Sequence, residues 1–173
     1  PGPRERAFVL PGTHAKWVSV TGDTIAAFRT FMTGEVFAAL KGHTILGRTM
    51  SANAPHDADA FARGVAFGAG SGGAGDLLNR IFSARTLGLT GKLTAEASSS
   101  YLSGLLIGAE IAAAAPPPTP AAAFTIIAGD ALSARYEDAA QLLGLRAMRA
   151  PADCVVPGLV AIARAAGLLG DAA

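Results

Sequence analysis

Three short β-prone runs, at residues 6–10, 16–20 and 24–28, are joined only by Pro11-Gly12-Thr13 and by Thr21-Gly22-Asp23. Connections this short cannot hold a crossover helix, so the three runs must pair as antiparallel neighbours in a β-meander. The first connection is unusual. In FVLPGTHAKWVSV a tight polar turn carrying Gly12, Thr13, His14 and Lys16 divides the two most β-like runs of the chain. A bare hairpin needs only a turn dipeptide such as Asn-Gly.

Beyond the meander the pattern becomes helical. TFMTGEVFAALKGH reads as a helix with Thr33 as N-cap, Val36, Phe37 and Leu40 on one face, and Gly42 as its close. Residues 43–113 read as a mostly helical insertion. Asp57 caps one helix through Phe61 and Val65; Leu77, Leu78, Ile81 and Phe82 mark a second, with Arg85 near its end. Thr94 caps a third, with Tyr101, Leu102, Leu105, Leu106 and Ala109 on one stripe. Gly104 and Gly108 form a notch on it, either for close helix packing or as a flat face lining a ligand cleft. Residues 68–75 (GAGSGGAG) read as a flexible connector, without the Lys-Ser/Thr of a P-loop. Residues 115–120 (APPPTP) read as a stiff linker. Then come a buried strand at 124–128, a turn at Gly129-Asp130, and a helix with Leu132, Tyr136, Ala139 and Leu143 inward and Gly144 as its stop. A strand at 145–149 follows, and Pro157 opens a last helix with Val160, Ile162 and Ala163. The βββαβαβα order predicts an α/β fold, a mixed sheet flanked by helices.

At 173 residues, 51% hydrophobic and 16% charged, the chain has material for one well-buried domain or one lobe of a larger enzyme. A net charge of +1 without blocks of like charge points away from nucleic acid and from an anionic membrane surface. The longest apolar run, LLIGAEIAAAA, is interrupted by Glu110 and too short to span a bilayer. Cys154 is the one cysteine, so no disulfide forms within the chain, which suits a reducing cytoplasm. The chain opens on Pro1 without an initiator methionine, so an amino-terminal part is expected upstream.

Two stretches have the makings of a site. In PGTHAKW, Gly beside Thr leaves backbone N–H groups and a hydroxyl facing outward, a concavity that suits phosphate, and Lys16 adds a cation. The competing reading is a hairpin whose polar residues face water. In IIAGDALSARY, a strand ends in glycine at the mouth of a helix, at the sheet's carboxyl edge, where open α/β sheets bind ligands. Asp130 there disfavours a phosphate and suits adenine or ribose; alternatively it simply caps the helix. His14, His43 and His56 are too scattered for zinc. Ser98-Ser99-Ser100 lacks nucleophile-elbow glycines. Glu35, Glu110, Asp57 and Asp76 are acids for a site, or caps and surface charges.

Taken together, FVLPGTHAKWV, FRTFMTGEVFAAL, HTILG, YLSGLLIGAEIA and AGDALSARYEDAAQLLG resemble the carboxyl-terminal lobe of the 2-dehydro-3-deoxygalactonokinase family, from about residue 6 to 169. PGTHAKW and FMTGE are the most specific of these motifs. The resemblance implies the ribonuclease H-like, actin-like ATPase fold of the sugar kinases, in which ATP and sugar meet between two lobes. It implies transfer of the ATP γ-phosphate, with Mg²⁺, to the 6-hydroxyl of 2-dehydro-3-deoxy-D-galactonate, a 2-keto-3-deoxy sugar acid.

By the same resemblance, Gly12 and Thr13, with His14 and Lys16 beside them, match the second phosphate-binding loop. Ala128, Gly129, Leu132 and Tyr136 match the adenosine motif, which here carries Ala128-Gly129 where the superfamily usually has paired glycines. No DxGT or DxGS loop occurs in these residues. The first lobe, with the catalytic carboxylate, is therefore expected upstream, as the partner of residues 1–173; a homodimer is also compatible. Alternative readings are an actin-like nucleotide-binding scaffold or sensor, and a kinase for the gluconate epimer.

Overall fold

The computed structural model describes residues 5–70, 76–116 and 123–169. Most of the glycine-rich connector (71–75) and of the proline-rich linker (117–120) lies outside the described residues, as does the start at 1–4.

The meander is present. Strands β1 (Glu5–Leu10), β2 (Ala15–Thr21) and β3 (Thr24–Phe31) pair antiparallel; β4 (Ala123–Ile126) pairs parallel with β1, and β5 (Arg146–Arg149) parallel with β4. The order β3-β2-β1-β4-β5 makes one mixed five-stranded sheet. Its helices are α1 (Thr33–His43), α2 (Ala58–Gly68), α3 (Asp76–Leu89), α4 (Ala95–Ala114), α5 (Asp130–Leu142) and α6 (Val155–Ala165), with a short 3₁₀ turn at Gly47–Thr49. No helix among the described residues is long and apolar enough to cross a membrane.

Strand alternation puts Val9, Trp17, Phe124 and Ile126 on one face, packed with Phe61 and Val65 of α2, Ile107 and Ile111 of α4, and Tyr136 and Ala139 of α5. The Trp17 and Phe124 rings lie 4.9 Å apart. A second cluster, around Ala60, Ile81, Leu102 and Leu105, joins α2, α3 and α4 and is flanked by Val36, Phe37 and Leu40 of α1. Helix α4 therefore serves both cores.

Gly104 and Gly108 prove to be packing positions. A Cβ on Gly104 would stand 2.1 Å from the Phe61 carbonyl oxygen, and one on Gly108 2.5 Å from that of Val65. The facing helix answers in kind: Cβ atoms on Gly64 and Gly68 would come within 2.1 and 2.0 Å of the Tyr101 and Leu105 carbonyl oxygens. Two small-xxx-small pairs thus let the α2 and α4 backbones touch.

Local signals locate several helix ends. Asp57 and Thr94 accept hydrogen bonds from the Ala60 and Ala97 amides as caps, and Gly144 adopts the left-handed φ of a helix stop. Thr33 differs. Met32 holds the N-cap position of α1 without a side-chain bond, and Thr33 is the first helical residue, its hydroxyl drawn instead to Glu110. Asp130 likewise opens α5 rather than capping it, and Gly129 is the N-cap. No residue of α6 is buried, and Ile162 is 67% exposed. On α3, Ile81 is buried but Leu78 and Phe82 are exposed.

Candidate functional site

The turn between β1 and β2 is shaped by the residues that dock on it. Gly34, at the start of α1, has its Cα against the turn: a Cβ there would stand 2.4 Å from the Gly12 carbonyl oxygen and 2.9 Å from Thr13 Cα. Only glycine allows that approach. The Glu35 amide then donates to the Thr13 carbonyl at 3.0 Å, and the Glu35 carboxylate meets His14 Nε2 at 2.5 Å. Lys16 Nζ folds back to donate to the His14 carbonyl at 2.8 Å. FMTGE is thus the clamp on PGTHAKW, and Glu35 acts at the turn rather than as a cap.

What the clamp leaves open matters equally. Gly12 has no left-handed φ, and no protein atom lies within 4 Å of where its Cβ would stand. The space beside it is a cavity. The Thr13 hydroxyl is exposed and makes no hydrogen bond among the described residues.

Beneath the turn, the Glu110 carboxylate of α4 is buried and gathers three elements. Trp17 Nε1 of β2 donates to Oε1 at 2.8 Å, the Tyr136 hydroxyl of α5 donates to the same oxygen at 3.0 Å, and the Thr33 hydroxyl of α1 donates to Oε2. Burial pushes the Glu110 carboxyl above its ordinary range, against the downward pull of the three hydrogen bonds. Burial and the adjoining Glu110 also push the Tyr136 phenol upward, so it remains a donor. Glu110, weighed from sequence as a site acid or surface charge, is instead the buried tie between the turn strand, α1 and α5. Of the other acids, Asp57 is a cap and Asp76 pairs with Arg80.

The cavity lies between the clamp and α5. Gly12, Thr33 and Gly34 line it on one side and Leu132, Arg135 and Tyr136 on the other; Phe37 and three residues of α4 complete it. Three positions expected from two distant motifs, Gly12, Leu132 and Tyr136, are therefore brought together. Thr13, His14 and Lys16 sit on the same turn outside the lining. Ala128 and Gly129 also lie outside it, at the carboxyl end of β4. The Ala128 carbonyl accepts from the Ser133 hydroxyl at 3.0 Å, and Gly129 has open space beside its Cα. Asp130 lies 3.8 Å from Arg149, which partly offsets its charge. Thr33, Gly34 and Arg135 escape site assignment from sequence: Thr33 carries a helix-cap signal, Gly34 is unassigned in FMTGE, and Arg135 carries no local signal of its own.

A scan against family models matches residues 2–162 to 2-keto-3-deoxy-galactonokinase. The 2-dehydro-3-deoxygalactonokinase of Escherichia coli (strain K12) is 39% identical over 137 residues, 79% of this chain and 46% of that protein. A Rhizobium meliloti (strain 1021) protein provisionally given the same enzyme name is 34% identical over 168 residues, 90% of this chain and 51% of its own. A crystal structure from Sinorhizobium meliloti, also provisionally so named, superposes with a TM-score of 0.84 at 33% identity, covering 98% of this chain and 56% of that one. The chain spans about half the length of these relatives and shares the sugar-kinase fold with the solved one. On sequence and on fold, it belongs to the 2-keto-3-deoxy-galactonokinase family.

Proposed function

We propose that this chain is the nucleotide-binding lobe of a two-lobed, ATP-dependent kinase that phosphorylates the 6-hydroxyl of 2-dehydro-3-deoxy-D-galactonate. The observation that carries the reading is the docking of FMTGE on PGTHAKW, which leaves Gly12 open to a cavity walled by α5, the helix of the adenosine motif.

Phosphoryl transfer rests on positioning and on neutralising charge across the γ-phosphate. In this lobe the Gly12 and Thr13 amides and the Thr13 hydroxyl donate to β/γ-phosphate oxygens. Lys16 lends positive charge, and Glu35 holds His14 beside them. The adenosine end lies along Ala128, Gly129 and Leu132. Tyr136 contributes its ring as wall, with its hydroxyl engaged by Glu110. The described residues offer no group of three or more His, Cys, Asp or Glu side chains that would cage a metal. Mg²⁺ carried with the nucleotide would neutralise phosphate charge. The carboxylate that orients the sugar hydroxyl belongs to the other lobe.

A coupled assay of the complete gene product with ATP and a panel of 2-keto-3-deoxy sugar acids tests the reading. Turnover of the galacto epimer is expected; ATP binding without turnover of any sugar acid would favour a scaffold or sensor. Thr13→Ala should lower kcat about 10-fold or more, by loss of a charge-assisted hydrogen bond, with folding unchanged. Unaltered kinetics would remove the phosphate assignment. The isolated 173-residue chain should bind ATP weakly or not at all in a calorimetric titration and should not turn over.

A further inference from the structure

The cavity carries one formally charged group among its ten lining residues, Arg135. A guanidinium stays protonated at any physiological pH and presents a planar fork of donors, so a half-buried one needs an anion or an array of acceptors. Several other arginines of the fold have them, and Arg48 and Arg164, which among the described residues do not, are exposed to water. Arg80 is held by Asp76, Arg149 by Glu137, and Arg29 by the last carbonyls of α4. Among the described residues Arg135 has neither an ion pair nor a hydrogen bond, although it stands on the same wall as Leu132 and Tyr136. Glu110, the carboxylate behind that wall, is engaged by Trp17, Thr33 and Tyr136.

We propose that Arg135 is a further nucleotide-binding residue, its guanidinium holding phosphate oxygens from the α5 side of the cavity. The inference rests on the kinase reading above. A nucleotide whose base lies near Ala128-Gly129 and whose terminal phosphates lie at Gly12-Thr13 must run past this stretch of α5. The oxygens that reach Arg135 are then those of the α- and β-phosphates. The fork geometry suits two phosphate oxygens at once.

The test uses the complete gene product as wild type, Arg135→Ala and Arg135→Lys, titrated with ATP and with adenosine, alongside steady-state kinetics. Arg135→Ala should weaken ATP binding about 10- to 100-fold, the range for a charged hydrogen bond, while adenosine affinity, the KM for the sugar acid and the thermal midpoint stay unchanged. Arg135→Lys should recover part of the ATP affinity, since it restores charge without the fork. Equal ATP affinity in wild type and Arg135→Ala overturns the inference while leaving the kinase reading intact. A loss confined to the sugar acid also overturns it, assigning Arg135 to the substrate carboxylate. Failure of the wild type to bind ATP overturns the kinase reading, and this inference with it.

Discussion

Two of the junctions among the described residues that set glycine against a carbonyl oxygen do opposite things. Between α2 and α4, Gly64, Gly68, Gly104 and Gly108 bring two helices into backbone contact, and apolar side chains close over the seam. Between α1 and the β1–β2 turn, Gly34 brings a helix start against Gly12 and Thr13, but the surrounding groups are polar and partly exposed and a cavity remains beside them. The first junction converts close approach into buried area, the main source of folding free energy. The second converts it into a rigid turn whose free donors face outward. The same device thus stabilises in one place and positions in the other. Helix α4 links them, with glycines on its α2 side and Glu110 reaching the turn strand.

The sharpest attempt to break this contrast is Gly104→Ala. The added methyl meets backbone, which cannot swing aside as a side chain would. Overpacking should destabilise by about 3 kcal/mol, outweighing the helix-propensity gain of about 1 kcal/mol. Urea denaturation measures it; a variant as stable as wild type would mean that the helices are not in backbone contact.

Glu110→Gln probes the link, at an expected cost of about 1–2 kcal/mol, because one amide cannot accept from all three donors. Its pH dependence has a definite sign. Since burial raises the folded carboxyl above its unfolded value, the folded state keeps the proton at higher pH. The stabilisation is fully present below about pH 4 and is lost as pH rises through the raised folded value. The advantage of wild type over Glu110→Gln in thermal midpoint should therefore shrink as pH increases; an advantage that grows would show that the hydrogen bonds outweigh burial.

Gly34→Ala should have the smallest effect on stability, about 1 kcal/mol, because its methyl meets a surface turn rather than a seam buried between two helices. Yet in the complete gene product it should reduce kcat/KM for ATP about as much as Thr13→Ala does. If Gly34→Ala matched Gly104→Ala in lost stability, the two junctions would be the same kind of structure and the division between scaffold and site would fail.

Much of the architecture is legible in the sequence. Connections at Pro11-Gly12-Thr13 and Thr21-Gly22-Asp23 are too short for anything but antiparallel pairing, and Asp57, Thr94 and Gly144 mark helix ends through bonds to their own neighbours. The family motifs marked the turn and α5, and the structure brings Gly12, Leu132 and Tyr136 to one cavity. Thr33 was misjudged because the same hydroxyl that signals a cap is also a good donor to a buried carboxylate far along the chain. The apolar residues of α6 are legible too, but burial depends on a partner element, and none of them is buried.

The sequence by itself determined what its short-range forces decide: strand and helix positions, turn chemistry, the antiparallel start, and the family. Only the tertiary structure decided which groups face one another. Trp17 and Glu110 lie 93 residues apart, and no local pattern predicts their hydrogen bond. Gly34 needs glycine because Gly12 is across from it, and Arg135 stands without an acidic partner because of what the fold placed around it. Periodicity and capping are properties of neighbours in the chain, whereas close approach and charge pairing are properties of neighbours in space.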